Sequence, residues 1–556
     1  MTQVFNLILI KPTHYDDDGY VIQWLRSAMP ANSLAALYAL ARDCAERRVL
    51  GDNVDIRIWA ADETNTRIQP KKLAAKIQRG GGQGMVALVG VQSNQYPRAL
   101  DLAKAFRKLG VAVCIGGFHV SGCLAMLPDL TPELRHALDL GVSLFAGEAE
   151  ESLESLLQDA WAGQLKSIYN FMAQLPALEN VPAPFLTRQQ VKHTAGRQTS
   201  FDAGRGCPFL CSFCTIINVQ GRKSRHRGAD DVERIILSNL SQGVDRFFIT
   251  DDNFARNRNW EAILDRLIAL RQQRHFNLFI QVDTMCHRIP RFIDKAAAAG
   301  VKRVFIGLEN IDEENLQAIN KKQNRLAEYR ATFLAWKTAR VFTLAGYIVG
   351  LPMDTPESVI RCVEIIKREL PVDLLEFFFL TPLPGSEDHK TLYARGTPMD
   401  ADLNKYDLSH AVTKHDRMSA AEWEATYRKC WDIYYSDEHV NTLMRRAHAC
   451  GISPKRIMES AAWFYGSVLA EGVHPLEAGI LRRKFREDRR PGLPIENPIV
   501  FYPRRVREFF YTHWTIGRLL LKYHRMQKAI RSQPHSRNYQ DNAITPIPRA
   551  GPGEGG

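Results

Sequence analysis

The sequence predicts an α/β protein: two consecutive parallel-sheet domains followed by a mainly helical region. Five short β-branched runs separated by helical patterns occupy the first 160 or so residues. Six further strand candidates alternate with helical patterns between about 198 and 380, and strand patterns fade from about 400 onward. Apolar strands alternating with amphipathic helices make a parallel sheet covered on both faces. The 556 residues leave room for roughly three or four domains at ~100–200 residues each.

In the first domain, placed at 1–175, the strands are expected at 5–10, 54–60, 85–91, 111–117 and 142–147. FNLILI at 5–10 reads as a buried first strand, not as a leader, because no basic segment precedes it. YPRALDLAKAFRKLG spaces Leu100, Leu102, Ala105, Phe106 and Leu109 helically and stops at Gly110. Ligands of such sheets bind beyond the carboxyl ends of the strands, which singles out Ser93-Asn94-Gln95, Gly116-Gly117-Phe118-His119 and Gly147-Glu148. A Pro-containing linker is expected over 176–197. The second domain is placed at 198–398, with strands near 198–202, 246–250, 277–282, 303–308, 343–349 and 375–380. Six βα units suggest a barrel-like sheet short of the eight in a closed barrel. A helical region is expected over 399–535 and a disordered tail, rich in Pro, Gly, Asn and Arg, over 536–556.

Composition narrows the class. Hydrophobic residues make up 45% and charged residues 24%, which excludes a mostly disordered, collagenous or disulfide-stapled chain. The longest apolar stretches, Leu374–Leu380 and Leu344–Leu351, fall far short of the ~20 residues that span a bilayer. A cytoplasmic protein is expected. The net charge of +12 is concentrated between 481 and 537, where 15 Lys/Arg face 4 Asp/Glu. Such a segment speaks to an anionic partner.

Of the ten cysteines, Cys207, Cys211 and Cys214 are crowded into GRGCPFLCSFC, directly after the first strand of the second domain. Thiolates are the usual ligands of iron–sulfur clusters, and a set of three leaves one iron for a group that is not protein. A structural zinc site would need a fourth ligand, and the nearest histidine is His226, 12 residues on.

This loop, in a six-unit βα domain, resembles the radical S-adenosylmethionine superfamily over about 198–390. The resemblance implies a partial (β/α)6 TIM-barrel core and a [4Fe–4S] cluster on Cys207, Cys211 and Cys214, with S-adenosylmethionine on the fourth iron. It further implies a 5′-deoxyadenosyl radical that takes hydrogen from unactivated carbon. Carried over by motif, Phe213 would cover the cluster. Asp251, Asp252 and Asn253 of FFITDDNF stand where the family has a Gly-Gly-Glu turn for the methionine amine, though an Asp at a strand end equally serves to cap the next helix. Glu309 in FIGLENI would contact S-adenosylmethionine, and Gly346-x-Ile348-x-Gly350 would let a strand approach adenine. The basic run 221–227 either neutralises cofactor carboxylates or lies solvated, the latter being slightly favoured.

Ahead of that core, the first domain is similar to a doubly wound, Rossmann-like cobalamin-binding domain. The resemblance implies cobalamin contacts from Ser93, Asn94, Gln95, Gly116, Gly117, His119, Gly147 and Glu148. The D-x-H-x-x-G signature that supplies an axial His is absent, so His119 is expected as a loop hydrogen-bonder near the cofactor. Methylthiotransferases share the cysteine spacing, but Cys44, Cys114 and Cys123 do not form their second cluster. The expected function is a cobalamin-dependent methyltransferase at an unactivated carbon, with no catalytic residue beyond the cofactors. The alternatives are a cyclase or rearrangement enzyme and, more remotely, a methylthiotransferase or a non-catalytic Fe–S protein. The expected partners are a small, hydrophobic or lipid-like substrate and an electron donor such as flavodoxin or ferredoxin. The segment 500–531 mixes Phe509, Phe510, Tyr511 and Trp514 with Arg504, Arg505, Arg507 and Lys522. It is read as a membrane-surface helix and not as a nucleic-acid binder.

Overall fold

The computed structural model describes residues 3–79, 81–321 and 326–546. The first domain holds β1 (Gln3–Lys11), β2 (Gln23–Ser27), β3 (Val54–Asp62), β4 (Gly84–Leu88), β5 (Ala112–Gly116), β6 (Ser143–Ala146) and β7 (Ile168–Asn170). All except β2 form one sheet in the order β3-β1-β4-β5-β6-β7, every ladder parallel. The central strands are buried on both faces because helices cover each side. Val86, Leu88, Val113 and Ile115 belong to one core layer, and Leu7, Leu9, Met85 and Cys114 to the other. The chain leaves β1 toward β3 and then returns to start β4, so the strand order reverses between β1 and β4. A crevice opens beyond the carboxyl ends of the strands at such a reversal.

The second domain begins with β8 (Thr199–Phe201) and a short antiparallel hairpin of β9 (Gly204–Arg205) and β10 (Arg225–His226). The remaining strands are β11 (Arg246–Ile249), β12 (Asn277–Val282), β13 (Val301–Glu309), β14 (Phe342–Val349) and β15 (Leu374–Phe379). These and β8 form a parallel sheet in sequential order, β8-β11-β12-β13-β14-β15, the order of an incomplete (β/α) barrel. Its core continues into the helices Ala420–Tyr434, Asp437–Ala449 and Pro454–Gly466, whose Trp423, Trp431 and Tyr434 are almost fully buried.

Three expectations about segments change. The stretch 176–197 is seated, not free: Leu178, Leu186 and Val191 are buried. The region 399–535 is mostly helical but contributes β16 (Gly479–Arg483), which pairs antiparallel with β2 and straps the C-terminal region to the first domain. The tail expected to be disordered from 536 is packed as far as 546. Asp541 pairs with Arg446 at 2.7 Å and Ala543 is buried, so polar anchoring replaces the apolar content that the sequence lacks. Residues 547–556 lie outside the described residues. No helix among the described residues is long and apolar enough to cross a membrane.

The two domains meet along their ligand ends. Gly122, in the helix Phe118–Met126, lies where a Cβ would stand 2.3 Å from the Pro384 carbonyl oxygen. Between the domains, Glu148 also pairs with Arg205 and Arg225, and Glu150 with Arg205 at 2.7 Å.

Candidate active site

The cysteine loop is held at both ends by backbone geometry. The hairpin β9–β10 closes it, and Gly206, at φ +88°, passes so near the Lys223 and Gly221 carbonyls that a Cβ would stand within 2.9 Å of each. The Cys207 amide donates to the Gly221 carbonyl, Ser212 to Ile319 and Cys214 to Cys211. Cys211 is buried, and Cys207 and Cys214 are half-buried. Burial, with Asp252 nearby, pushes the Cys207 thiol up to about 11 and the Cys214 thiol up to about 12. Thiols in that state bind a cluster with release of their protons.

Around this loop the sequence-selected residues separate into two groups. Phe213, Glu309 and Ile348 line one cavity of about 620 Å³, and Phe213 packs on a cluster that includes Ile319, Ile348 and Leu351. Glu309 closes β13 at φ +62°, beside an irregularity in the ladder to β14, and its carboxylate is ion-paired with Lys321. Asp252 is half-buried, and its carboxyl is pushed up to about 7 by burial and by Asp251.

Asp251 departs from the sequence reading. Its carboxylate accepts from the Ala203 and Gly204 amides and from Asn257, so it ties the end of β8 to β11. Gly350 departs too: it has φ +99°, and the Trp423 indole fills the space where its Cβ would stand, while Trp423 Nε1 donates to the Val349 carbonyl. Beside Gly346 stand the Phe305 and Phe378 rings. These glycines therefore make room for protein aromatics, a demand that looks the same in a single sequence as room for adenine.

In the first domain Ser93, Asn94 and Gln95 line the same cavity, beyond β4. Their side chains are engaged with other protein groups. Ser93 Oγ lies 3.1 Å from His119 Nδ1, Asn94 donates to Glu477, and Gln95 accepts from the Gln92 amide. His119, expected on a loop, lies in the first turn of the helix Phe118–Met126 and is buried, with its ring 4.4 Å from that of Tyr96. Gly116, Gly117 and Gly147 border a second cavity of about 420 Å³, lined also by Leu37, Leu40, Phe145 and Leu156. The Cβ positions of Gly117 and Gly147 run into the Val91 and Phe171 backbones, and that of Gly116 into Phe145. Glu148 is committed to Arg205 and Arg225. In the basic run, Arg225 carries that pair and Arg227 is buried on Asp202, so neither is the solvated charge the sequence favoured.

The two cavities share Lys11, Gln92, Phe118 and Ile216, and so form one cleft between the ligand ends of the two sheets. The residues present fit the implied groups. Three thiols share one loop, and beside it Thr250 Oγ1 and Asn253 Oδ1 are buried without a hydrogen-bond partner, as polar atoms awaiting a ligand are. On the side of the helix Asn32–Glu46 the second cavity is lined by apolar Leu37, Leu40, Phe145 and Leu156, while Glu148, Glu150 and Arg205 border it elsewhere; the apolar side is a place for the flat apolar part of a large cofactor. Sequence reasoning missed Lys321 and Arg205. Lys321 carries no motif; Arg205 stands two residues before Cys207 and could have been read with the cysteines.

Comparison with known proteins gives the following. The family model for the radical SAM superfamily matches residues 203–366. The chain is similar to bacteriochlorophyllide d C-8(2)-methyltransferase of Chlorobaculum tepidum: 26% identical, over 62% of this chain and 75% of that protein. It is also similar to hopanoid C-2 methylase of Rhodopseudomonas palustris: 23% identical, over 59% of this chain and 62% of that protein. Among solved structures, the radical S-adenosylmethionine methyltransferase TsrM of Kitasatospora setae, with cobalamin and a [4Fe-4S] cluster bound, superposes at TM-score 0.55. The identity is 16%, over 94% of this chain and all of that one. The cobalamin-dependent S-adenosylmethionine radical enzyme OxsB, with aqua-cobalamin bound, gives 0.53 at 11% identity, over 97% of this chain and 82% of that one.

Proposed function

The chain belongs to the radical S-adenosylmethionine superfamily, and on that premise we propose that it is a cobalamin-dependent methyltransferase acting on an unactivated carbon of a hydrophobic small molecule. The observation that carries this reading is the shared cleft. Phe213, Glu309 and Ile348 of the second domain and the loop Gln92–Gln95 of the first line one cavity. A cofactor on either side would therefore reach the same substrate.

In this reading Cys207, Cys211 and Cys214 hold the [4Fe–4S] cluster. Asp252 and Asn253 offer oxygens to the methionine amine, and Phe213 and Ile348 flank S-adenosylmethionine. The Glu309–Lys321 pair supplies a fixed polar edge. Ser93 to Gln95, with the glycine turns at 116–117 and 147, hold cobalamin mainly through backbone, since their side chains are engaged elsewhere. Bound, these groups supply reductive cleavage of S-adenosylmethionine, hydrogen removal from carbon and a transferable methyl group, the electron coming from a flavodoxin- or ferredoxin-like donor. Phe305, Phe378, Phe379, Leu380 and Leu383 wall the cavity and exclude water, while Lys11, His14 and Glu477 place polar groups at another side. That lining selects an apolar molecule with a polar end, in line with the relatives named for hopanoid and bacteriochlorophyllide methylation.

The long helix Pro498–Ser532 extends the reading to the membrane surface of a cytoplasmic enzyme. It buries Phe501, Leu519, Tyr523 and Ile530 and exposes Ile499, Phe510, Trp514 and Leu521, with Arg507, Arg518, Arg525 and Lys528 also in solvent. Exposed apolar residues flanked by cations suit an anionic bilayer surface. Sedimentation with anionic vesicles tests it: Phe510→Ala with Trp514→Ala should abolish a binding that neutral vesicles do not support, and unchanged binding rejects this face.

The activity is tested by anoxic reconstitution with S-adenosylmethionine, cobalamin and a low-potential reductant. Formation of S-adenosylhomocysteine together with 5′-deoxyadenosine supports methyl transfer. 5′-Deoxyadenosine alone points to cyclisation or rearrangement, and neither product rejects the radical enzyme.

A further inference from the structure

Outside the cleft, one cluster of ligating side chains has no part in the proposed reaction. The helix Phe118–Met126 puts His119 and Cys123 one turn apart on the same face. Glu133, in the first turn of the helix Pro132–Asp139, meets them. His119 Nε2 lies 3.4 Å from Glu133 Oε1 and 4.0 Å from Cys123 Sγ, and all three ligand atoms fall within 4.8 Å of one another.

Each feature of this cluster suits a metal ion. Zinc takes sulfur at ~2.3 Å, imidazole nitrogen at ~2.0–2.1 Å and carboxylate oxygen at ~2.0–2.2 Å, so tetrahedral ligand atoms stand roughly 3.3–3.7 Å apart. The present spacings need only a small closure. The Ser93 hydroxyl at His119 Nδ1 can accept from Nδ1–H, and in that tautomer the Nε2 lone pair is available beside Cys123 and Glu133. Thiolate, carboxylate and neutral imidazole together carry the charge that a divalent cation cancels, which matters because His119 and Cys123 are 1% and 2% exposed. Glu133 keeps 27% of its side chain in solvent, an entry route for the ion. At the edge of the cluster, His389 of the second domain is buried with Nδ1 unpartnered, within electrostatic reach of His119 and Glu133.

We propose that His119, Cys123 and Glu133 form a divalent transition-metal site, for zinc by its ligand chemistry, separate from the cysteine loop. The ion locks the two helices together and, through Ser93, holds the loop that borders the cleft. Without metal, the same contacts would be a histidine–carboxylate pair beside an inert thiol, and the experiment distinguishes the two.

Anoxically purified, cluster-loaded full-length chain is equilibrated with zinc chloride, desalted, and analysed for iron and zinc. About one zinc per chain is expected to stay bound. Cys123→Ala and Glu133→Gln should each lose it, with iron content and circular dichroism unchanged. X-ray absorption at the zinc edge should show one sulfur neighbour at ~2.3 Å. Ser93→Ala, which leaves the three ligands intact, should weaken zinc binding roughly 10- to 100-fold. Zinc retained equally by both ligand variants, no sulfur neighbour, or no retained zinc in the folded parent overturns the proposal.

Discussion

Arg205 Nη1 stands 2.6 Å from Glu148 Oε2, so a residue two places before the first cysteine of the loop is tied to the turn after β6 in the other domain. Arg205 also takes Glu150 at 2.7 Å and Asp202 at 3.2 Å, and all four side chains are at most 10% exposed. Four buried charges in one set hold the domains at a defined separation across the cleft.

The first prediction follows from unequal sharing. In Arg205→Met, Glu148 keeps Arg225, whereas Glu150 loses its only ion-pair partner among the described residues. Leaving a buried carboxylate unpaired costs roughly 3 kcal/mol. Denaturant unfolding should show that loss, and Glu148→Gln should cost clearly less because Arg205 retains Glu150 and Asp202. Equal losses would mean that the set does not act as described.

Gly122 gives the second. A Cβ there would stand 2.3 Å from the Pro384 carbonyl oxygen and 2.8 Å from the Gly385 amide nitrogen. These are backbone atoms that cannot swing aside. Gly122→Ala should push the domains apart and lower cobalamin retention several-fold, while the cysteine loop keeps its iron. Metal analysis after desalting reads both at once.

Glu376 gives the third, with its sign set by burial. It lies in β15, is 1% exposed, and its Oε2 has no hydrogen-bond partner. Desolvation pushes its carboxyl up to about 8 from an ordinary 4.5. The folded state thus holds a proton that the unfolded chain releases above 4.5, and this group makes stability fall as pH rises from about 4.5 to about 8. Glu376→Gln should be near neutral at pH 4.5 and stabilising by roughly 4 kcal/mol at pH 8. Thermal melts at the two pH values check it, and an equal effect at both contradicts it.

Gly350 gives the fourth. Its φ of +99° and the Trp423 ring atoms 2.0–2.4 Å from a built Cβ make Gly350→Ala both strained and overpacked, at a cost of about 3 kcal/mol or more. Trimming the ring in Gly350→Ala/Trp423→Leu should recover part of the loss in a double-mutant cycle. No recovery would show that backbone strain alone is responsible.

How much of this was legible depends on how local each signal is. The runs at 5–10, 54–60, 85–91, 111–117 and 142–147 are strands here because continuous apolar stretches between helices have few other solutions in an α/β sheet. β7 escaped notice because Ile168–Asn170 is too short to show a pattern. The β2–β16 ribbon escaped because its pairing joins residues more than 450 positions apart. At the site, the cysteine spacing is a local signal and was read directly. The parts that Asp251 and Gly350 play in the fold were not legible because their partners, the amides of 203–204 and the ring of Trp423, lie far away in sequence. The ion pairs of Glu148 were hidden for the same reason, its partners being Arg205 and Arg225.

The central claim is that the cysteine loop and the first domain's ligand loops serve one cleft with two cofactors. Iron and cobalt content of anoxically reconstituted, desalted protein tests it most directly. The account predicts about four irons per chain from one cubane cluster together with near-stoichiometric cobalt. It also predicts that Cys214→Ala loses the iron and keeps the cobalt. Iron without cobalt would keep the radical domain but contradict the shared cleft, and zinc in place of iron on the cysteine loop would contradict the account as a whole.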